Sequence, residues 1–477
     1  MKQIISSVAI AALFFCISMS RLAAQGNDFW FVAPHMSEFV VAGKPLDEPA
    51  FLAITNMDDK PAQVQITLYN GGSPIIIDLT INAGEFYKYD FNNQAKMKQI
   101  ENPRGQAGNV TKYGMHITST AQLVVYYMHN HTDSRDIFTL KGERALGMSF
   151  YVPMQSDNNF PNQGNNYPGA CDQIDIVATE DNTTVEVVPK APIRIGASGS
   201  SAANYKITRI LQKGETLKIM ENAFDGASLA GTSINATSPV AVTVTEDLVS
   251  GDTSGDQIVP VSSLGTRYVI AKGYMTNSDN ERVYMIATQN GTNISVNGSS
   301  IATNMAAGNA VVYTIPSGSN AVYVESNYPI YVYQRTGHNE QGSALLPSIY
   351  AINNNRISFY VVEAQNEKAF ILFRTGTQSS FTITYNNVTS SLNVGTPIAS
   401  GLTGWSVARF DLPAATKEKV VTIHNPQSSF AFGYIAANTD RNNMSSFGFL
   451  RLDASRRQQK VRCFFCNSRY GTLHTHR

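Results

Sequence analysis

Apolar residues recur at every second position in many short runs along this chain, and no stretch holds a sustained helical period. Such alternation puts one face of a strand inward and the other outward. The clearest instance lies between Ile234 and Ile270. A short run from Ile234 to Thr237 meets a turn at Ser238-Pro239, and the alternating strand Val240-Ala241-Val242-Thr243-Val244 follows. Pro239 suits the first position of that strand, where no ladder donor is required. The chain then becomes polar and glycine-rich through Asp252, Gly255 and Asp256, and re-enters strand at Tyr268-Val269-Ile270. Val240, Val242 and Val244 are expected to face a core, with the residues between them on the outward face.

Weaker copies of this pattern recur. Ile234 stands five positions before Pro239, and Val324 five before Pro329. Ile117 stands likewise before Gln122, without the proline; the copy from Ile423 to Phe430 is one residue longer, with its proline at Pro426. Each copy is preceded by a glycine turn: Gly84-Glu85, Gly214-Glu215, Gly308-Asn309 and Gly404-Trp405. Further upstream lies a hairpin whose turn residues (Asp58-Asp59, Asp181-Asn182, Asn290-Gly291, Gly376) tolerate tight geometry. Three features recurring in one order define a unit of roughly a hundred residues, present about four times.

The fold class is therefore all-β: tandem β-sandwich-like repeats, with a β-propeller-like radial arrangement as the alternative. Residues 1–24 read as a signal peptide, with Lys2 ahead of an uncharged apolar core too short to span a membrane permanently. Phe15 before Cys16 argues against lipoprotein processing. The expected divisions are unit 1 at 26–154, a linker and unit 2 at 155–273, unit 3 at 274–355, and an incomplete unit 4 at 356–450. The linker is rich in glycine, asparagine and proline over 155–169. The tail, 451–477, carries Arg451, Arg456, Arg457, Lys460, Arg462, Arg469 and Arg477 against the single acid Asp453. It does not continue the repeat and is expected to be non-native or disordered.

Composition narrows the function. Of 477 residues, 43% are hydrophobic, enough for real cores, and only 15% are charged. Formal net charge is zero, which argues against nucleic acid or an anionic membrane as the main partner.

Four segments carry a family resemblance: GNDFWFVAP from Gly26, IVATEDNTTVEVVP from Ile176, SPVAVTV from Ser238 and DQIVPVSSLGTRYVIA from Asp256. Together they resemble the IgG-Fc-binding-protein N-terminal domain family, over most of residues 26–450. The resemblance implies a secreted bacterial member with an extracellular binding or adhesion role, and supplies no catalytic residues to carry over.

Candidate chemistry is sparse. Cys171 stands alone in the repeat region and reads as a small buried residue. Cys463 and Cys466, followed by His474 and His476, mimic zinc-ligand spacing, but the gap before the histidines is short for a finger. His129-Asn130-His131 with Asp133 and Asp136 could hold a metal, yet reads better as an exposed polar loop. Asp252 to Asp256 resembles part of a calcium loop without its terminal glutamate. No G-x-S-x-G elbow or phosphate-binding glycine loop is present. No cofactor, metal or enzymatic activity is assigned.

The longest polar stretch of each unit follows the recurring strand: 129–136, 246–256, 335–343 and 438–445. Loops carry contacts on such scaffolds because their side chains are free of packing duty. The ligand-binding candidates are therefore His129, His131, Asp252, Asp256, Arg335, His338 and Glu340. The expectation is a secreted or cell-surface protein that recognises an extracellular glycoprotein, IgG-Fc-like or mucin-like, with no integral membrane segment after cleavage. A structural spacer and a carbohydrate-active enzyme are the alternatives. Edman sequencing of exported protein is expected to start near Gln25; full-length chain retained in the membrane would contradict this.

Overall fold

The computed structural model describes residues 26–36, 40–41, 44–45, 47–131, 134–156, 170–222, 227–249, 252–275, 281–338, 340–362, 366–438 and 444–450. The expected signal peptide, most of the linker (157–169) and the tail with Cys463, Cys466, His474 and His476 lie outside the described residues. Among the described residues the only α-helix is Gln94–Met97; the rest is strand, 3₁₀ turn and connection.

Unit 1 is two four-stranded antiparallel sheets. One has the order Asp28–Phe31, Met115–Ser119, Ala62–Leu68, Ile75–Ile81; the other Ser134–Leu140, Leu123–His131, Ala50–Asn56, Phe86–Phe91. Unit 4 repeats this plan with Arg356–Tyr360, Val420–His424, Thr382–Tyr385, Val388–Ser391 against Ile398–Ala399, Trp405–Asp411, Asn366–Arg374, Phe430–Asn438, Met444–Leu450. In units 2 and 3 the two layers join into one sheet, of eight strands in unit 2, with Val110–Thr111 of unit 1 added at its edge, and of seven in unit 3.

The join explains the repeated motif. Ser233–Val249 is one long strand whose start pairs with Thr183–Val188 and whose later part pairs with Asp172–Ala178 and Asp252–Ile258. Ser238-Pro239 sits where it passes from one layer to the other. Ala321–His338 does the same in unit 3, with Pro329 at the corner. In units 1 and 4 the ladder breaks at that place, giving Met115–Ser119 then Leu123–His131, and Val420–His424 then Phe430–Asn438. We call these the corner strands.

Each corner strand turns back into an inner strand: Ser134–Leu140, Asp252–Ile258, Glu340–Leu345 and Met444–Leu450. The first inner strand packs on the second, the second on the third, the third on the fourth, and the fourth back on the first. The four units thus close into a ring, which combines the sandwich-like unit with radial repetition. After each of the first three inner strands a 3₁₀ turn (Gly142–Ala145, Val261–Ser263, Ile349–Ala351) leads into the next unit. Gly147–Tyr151 consequently pairs with the corner strand of unit 2, and Gly265–Ala271 with that of unit 3. Both strands belong to the following unit's sheet, ahead of the divisions expected at 154/155 and 273/274.

The cores run across unit boundaries. Phe51, Tyr126 and Met128 of unit 1 pack with Phe359, Phe373 and Tyr434 of unit 4. Ile174, Val242 and Val244 of unit 2 pack with Tyr331, Tyr333 and Leu345 of unit 3. Val322 and Val332 of unit 3 pack with Phe370, Trp405 and Val407 of unit 4. Trp30 and Val32 of unit 1 meet Val177 and Ala241 of unit 2. The Tyr126 hydroxyl donates to the Tyr360 carbonyl at 2.7 Å and that of Tyr331 to the Val259 carbonyl at 2.8 Å, so two aromatic anchors also satisfy backbone acceptors across unit boundaries.

Closure changes the strand faces. Outer strands keep the expected alternation: in Ala62–Leu68 every second residue is buried and those between are exposed or half-buried. Strands nearer the ring are buried on both faces, as in Ala50–Asn56 and Asp172–Ala178. Val240, Val242 and Val244 face the core as expected, but Ala241, Thr243 and Thr245 are buried too. Their face is covered by the neighbouring unit, Ala241 lying in the cluster with Trp30 and Val32. A small residue belongs there because a second apolar layer packs onto it.

Val242 has no exposed surface. Val242→Asp buries an uncompensated charge and is expected to cost on the order of 3–5 kcal/mol. Chemical denaturation checks this, and an unchanged midpoint would mean that the strand face is assigned wrongly.

Candidate functional site

The polar stretches after the corner strands are the turning points and second arms of the hairpins that build the ring. His129 pairs with Asp136 across the first hairpin, Glu246 with Ser254 across the second, and Arg335 with Ser343 across the third. The expectation of free loop side chains does not hold for His129, His131, Asp256 and Arg335, which are all buried. The reason is closure: once the inner strands pack on one another, side chains from both arms of the first three hairpins are buried in the protein. The backbones of Asp252, His338 and Glu340 lie at the hairpin turns, with Val249 opposite Asp252 and His338 opposite Glu340. Their side chains lie outside the described residues.

At the ring centre, polar groups of different units meet. The His129 ring contacts Tyr127 and Phe138, with centroids at 5.1 and 5.5 Å, and neither ring nitrogen has a hydrogen-bond partner. Burial, reinforced by His131, lowers its pKa to about 3, so the imidazole is neutral at physiological pH. Asp256 pairs with Lys141 of unit 1 at 2.7 Å and accepts backbone N–H bonds from Thr139 of unit 1 and Leu345 of unit 3, at 3.1 and 3.0 Å. Asp136 accepts the N–H of Gly255 at 2.8 Å. A Cβ on Gly255 would stand 2.5 Å from the Phe138 ring and from the Val244 carbonyl, so only glycine fits this crossing.

Beside it, Gln155 collects partners from four hairpin arms, two in unit 2 and two in unit 3. Its amide nitrogen donates to Glu246 Oε2 at 3.0 Å, Ser254 Oγ at 3.1 Å and Ser343 Oγ at 3.3 Å, and its oxygen accepts from Arg335 at 2.9 Å. Its backbone N–H donates to Glu246 Oε1. Burial, then the charge of Asp172, pushes the Glu246 carboxyl up to about 8 against the hydrogen bonds that favour its ionised form. Asp172, opposite Glu246 in the ladder, is raised to about 6, again chiefly by burial. This chemistry fastens units together. Among the described residues, the only three His, Cys, Asp or Glu side chains with ligand atoms within 4.8 Å of one another lie elsewhere and include none of 129, 131 or 136.

An accessible cleft lies instead between units 1 and 4, with a volume of ≈ 710 Å³. Its unit 1 wall is the hairpin turn at Asp58-Asp59 and the glycine turn at Ala83-Gly84-Glu85, ending on Phe86. Its unit 4 wall is Arg356, Thr384-Tyr385-Asn386-Asn387, Glu418-Lys419-Val420 and Thr422. Asn386 and Asn387 have φ of 49° and 60° in the two-residue turn between Tyr385 and Val388, which fits the mirror-image turn that suits a tight hairpin. Both asparagines are exposed and line the cleft. Phe86 and Tyr385 are half-buried, and Phe86 stacks on Tyr360 at a centroid distance of 4.1 Å. Four carboxylates (Asp58, Asp59, Glu85, Glu418) face two cations (Arg356, Lys419). Of these residues, the sequence marks Asp58-Asp59 and Gly84-Glu85 as turn formers only. Their shared cleft needs units 1 and 4 to meet, which no local pattern reports.

Fold and site together define a ring-shaped all-β scaffold with a polar cleft at a unit junction. A profile of the family described as IgGFc binding protein matches residues 136–436, well over half of the chain. The chain belongs to that family. No curated protein matches it significantly. Among solved structures, the crystal structure of a tetra-tandem repeat in the extending region of a large adhesion protein aligns at 11% identity. That alignment covers 83% of this chain and 93% of the other, with a TM-score of 0.09, too low to carry an argument. Among the described residues no helix is long and apolar enough to cross a membrane.

The raised Glu246 carboxyl makes stability pH-dependent. Between its ordinary value of 4.5 and about 8, the folded state holds a proton that the unfolded state has released. This contribution is complete below pH 4.5 and is lost as pH rises through about 8, at no more than about 1.4 kcal/mol per pH unit. His129 acts in the opposite direction, but only below 6.5. Denaturant midpoints measured from pH 6.5 to 8 are expected to fall with rising pH, and less steeply in Glu246→Gln; equal slopes would contradict the assignment.

Proposed function

We propose that this protein is an exported, non-enzymatic binding protein, and that the cleft between units 1 and 4 receives a glycan-bearing segment of an extracellular glycoprotein. The cleft chemistry carries the reading, and family membership supports the class of partner. Carboxylates and asparagine amides can hydrogen-bond sugar hydroxyls, while half-buried aromatic faces such as Tyr385 can cover the apolar faces of sugar rings. The excess of carboxylates over cations disfavours a strongly anionic ligand. IgG Fc and mucin-type glycoproteins are the ligands to test first.

Surface plasmon resonance of the exported chain against both, with and without enzymatic removal of their glycans, tests the proposal. Tyr385→Ala combined with Asn387→Gly, which keeps the turn, is expected to weaken capture by about tenfold or more. Undiminished capture by this variant would place the surface elsewhere. Glycan cleavage by the parent chain in the same assay would replace binding with hydrolysis.

A further inference from the structure

Three segments of unit 1 meet beside the junction with unit 2. A parallel bridge joins Ala33 to Glu101 and sets His35 two residues beyond it. Glu101 follows the helix Gln94–Met97, its N–H bonded to the Met97 carbonyl at 3.1 Å. Asp47 precedes the strand Ala50–Asn56 and accepts the Met36 N–H at 3.3 Å. One ligand atom each from His35, Asp47 and Glu101 lies within 4.8 Å of the other two. Asp47 and Glu101 are each 3% exposed. His35 Nδ1, Asp47 Oδ1 and Glu101 Oε1 are all buried without a hydrogen-bond partner.

Such a group is costly as it stands, because buried carboxylates without counter-charges are strongly disfavoured. Glu48 adds a third carboxylate nearby and raises both pKa values further. The nearby cations have acids of their own: Arg104 pairs with Asp247 at 2.9 Å and Lys218 with Asp175 at 2.7 Å. Lys98 also contributes to the field at His35. Two arrangements relieve the cost. Asp47 and Glu101, which lie within hydrogen-bonding reach of each other, can share a proton, or all three ligands can hold a cation.

We propose that His35, Asp47 and Glu101 bind one divalent transition-metal cation of the zinc type, which staples the N-terminal segment of unit 1 to its sandwich. The donor set selects this class. One imidazole and two carboxylates match zinc, whose bonds to such atoms are about 2.0–2.2 Å, and two carboxylates neutralise its charge. Calcium prefers an all-oxygen shell. The bridge at Ala33 and the bond from Met36 hold the three backbones in place, so only side-chain closure is needed. The shared proton leaves His35 Nδ1 unsatisfied; the cation satisfies all three orphaned atoms at once.

The test uses full-length exported chain without a histidine tag. Every arm carries Cys463→Ser, Cys466→Ser, His474→Gln and His476→Gln, so that the tail's cysteines and histidines cannot supply zinc ligands. Elemental analysis and titration calorimetry with zinc are expected to give one equivalent per chain and a rise in Tm. Glu101→Gln and His35→Gln are each expected to weaken binding by about tenfold or more. Asp47→Asn is the substitute if either fails to fold by near-ultraviolet circular dichroism. Cobalt bound to the parent chain is expected to show visible bands that are lost in His35→Gln. Absence of zinc binding by the parent overturns the proposal, even if calcium binds, as does zinc binding unaffected by the substitutions. If the parent binds no metal and Glu101→Gln stabilises it, the two carboxyls share a proton instead.

Discussion

Every inner strand has a ladder partner on one side only, yet all four are packed into the middle of the protein. Free edge N–H groups at that position cannot reach water and must find acceptors inside. Buried carboxylates and amides supply them. Asp136 takes the N–H of Gly255, Asp256 takes those of Thr139 and Leu345, and Gln257 takes that of Lys141. Each of these bonds joins one unit to another. The acids that look like a ligand-binding set thus help the hairpins of units 1, 2 and 3 share one centre. Replacing them with apolar residues would leave the edge donors unsatisfied, a penalty of about 1–3 kcal/mol each.

This constraint sets the character of the whole molecule. Tandem sandwiches joined end to end would each own a core and alternate cleanly from core to solvent. Here the cores span neighbouring units, and the later parts of the corner strands are buried on both faces. The units depend on one another for burial, as in other repeat folds where no single copy covers its own apolar face. The accessible chemistry is pushed to the rim, where turns of adjacent units come together. The cleft of units 1 and 4 is such a place, formed where the last unit meets the first.

Much of the architecture is legible along the chain. The alternating runs, the glycine turns and the Ser238-Pro239 signature locate strands, hairpins and the corner at which a strand changes layer, because each depends on residues close in sequence. Asn182 with φ of 56° and Gly291 with φ of 81° take the left-handed conformations that their hairpin turns require. The outward face of this strand is not legible, because Ala241 and Thr243 are the right residues for a surface strand and also for a strand under a second layer. His129, Asp256 and Arg335 look solvated in the sequence for a similar reason: a polar stretch after a strand looks the same whether the hairpin ends in water or folds into a shared centre.

By itself the sequence determined the all-β class, the repeated unit, the turn positions and membership in the IgGFc binding protein family, since all of these rest on local conformational preference or on motifs read in order. Only the tertiary structure decided that the repeats close on themselves, which faces are covered, and which distant residues become neighbours. Asp58 meets Tyr385 across the cleft, and His35 meets Glu101 beside unit 2, because of that closure and packing. Contacts between units depend on the packing angle at each junction. That angle is the sum of many weak side-chain fits and is written in no single stretch of the chain.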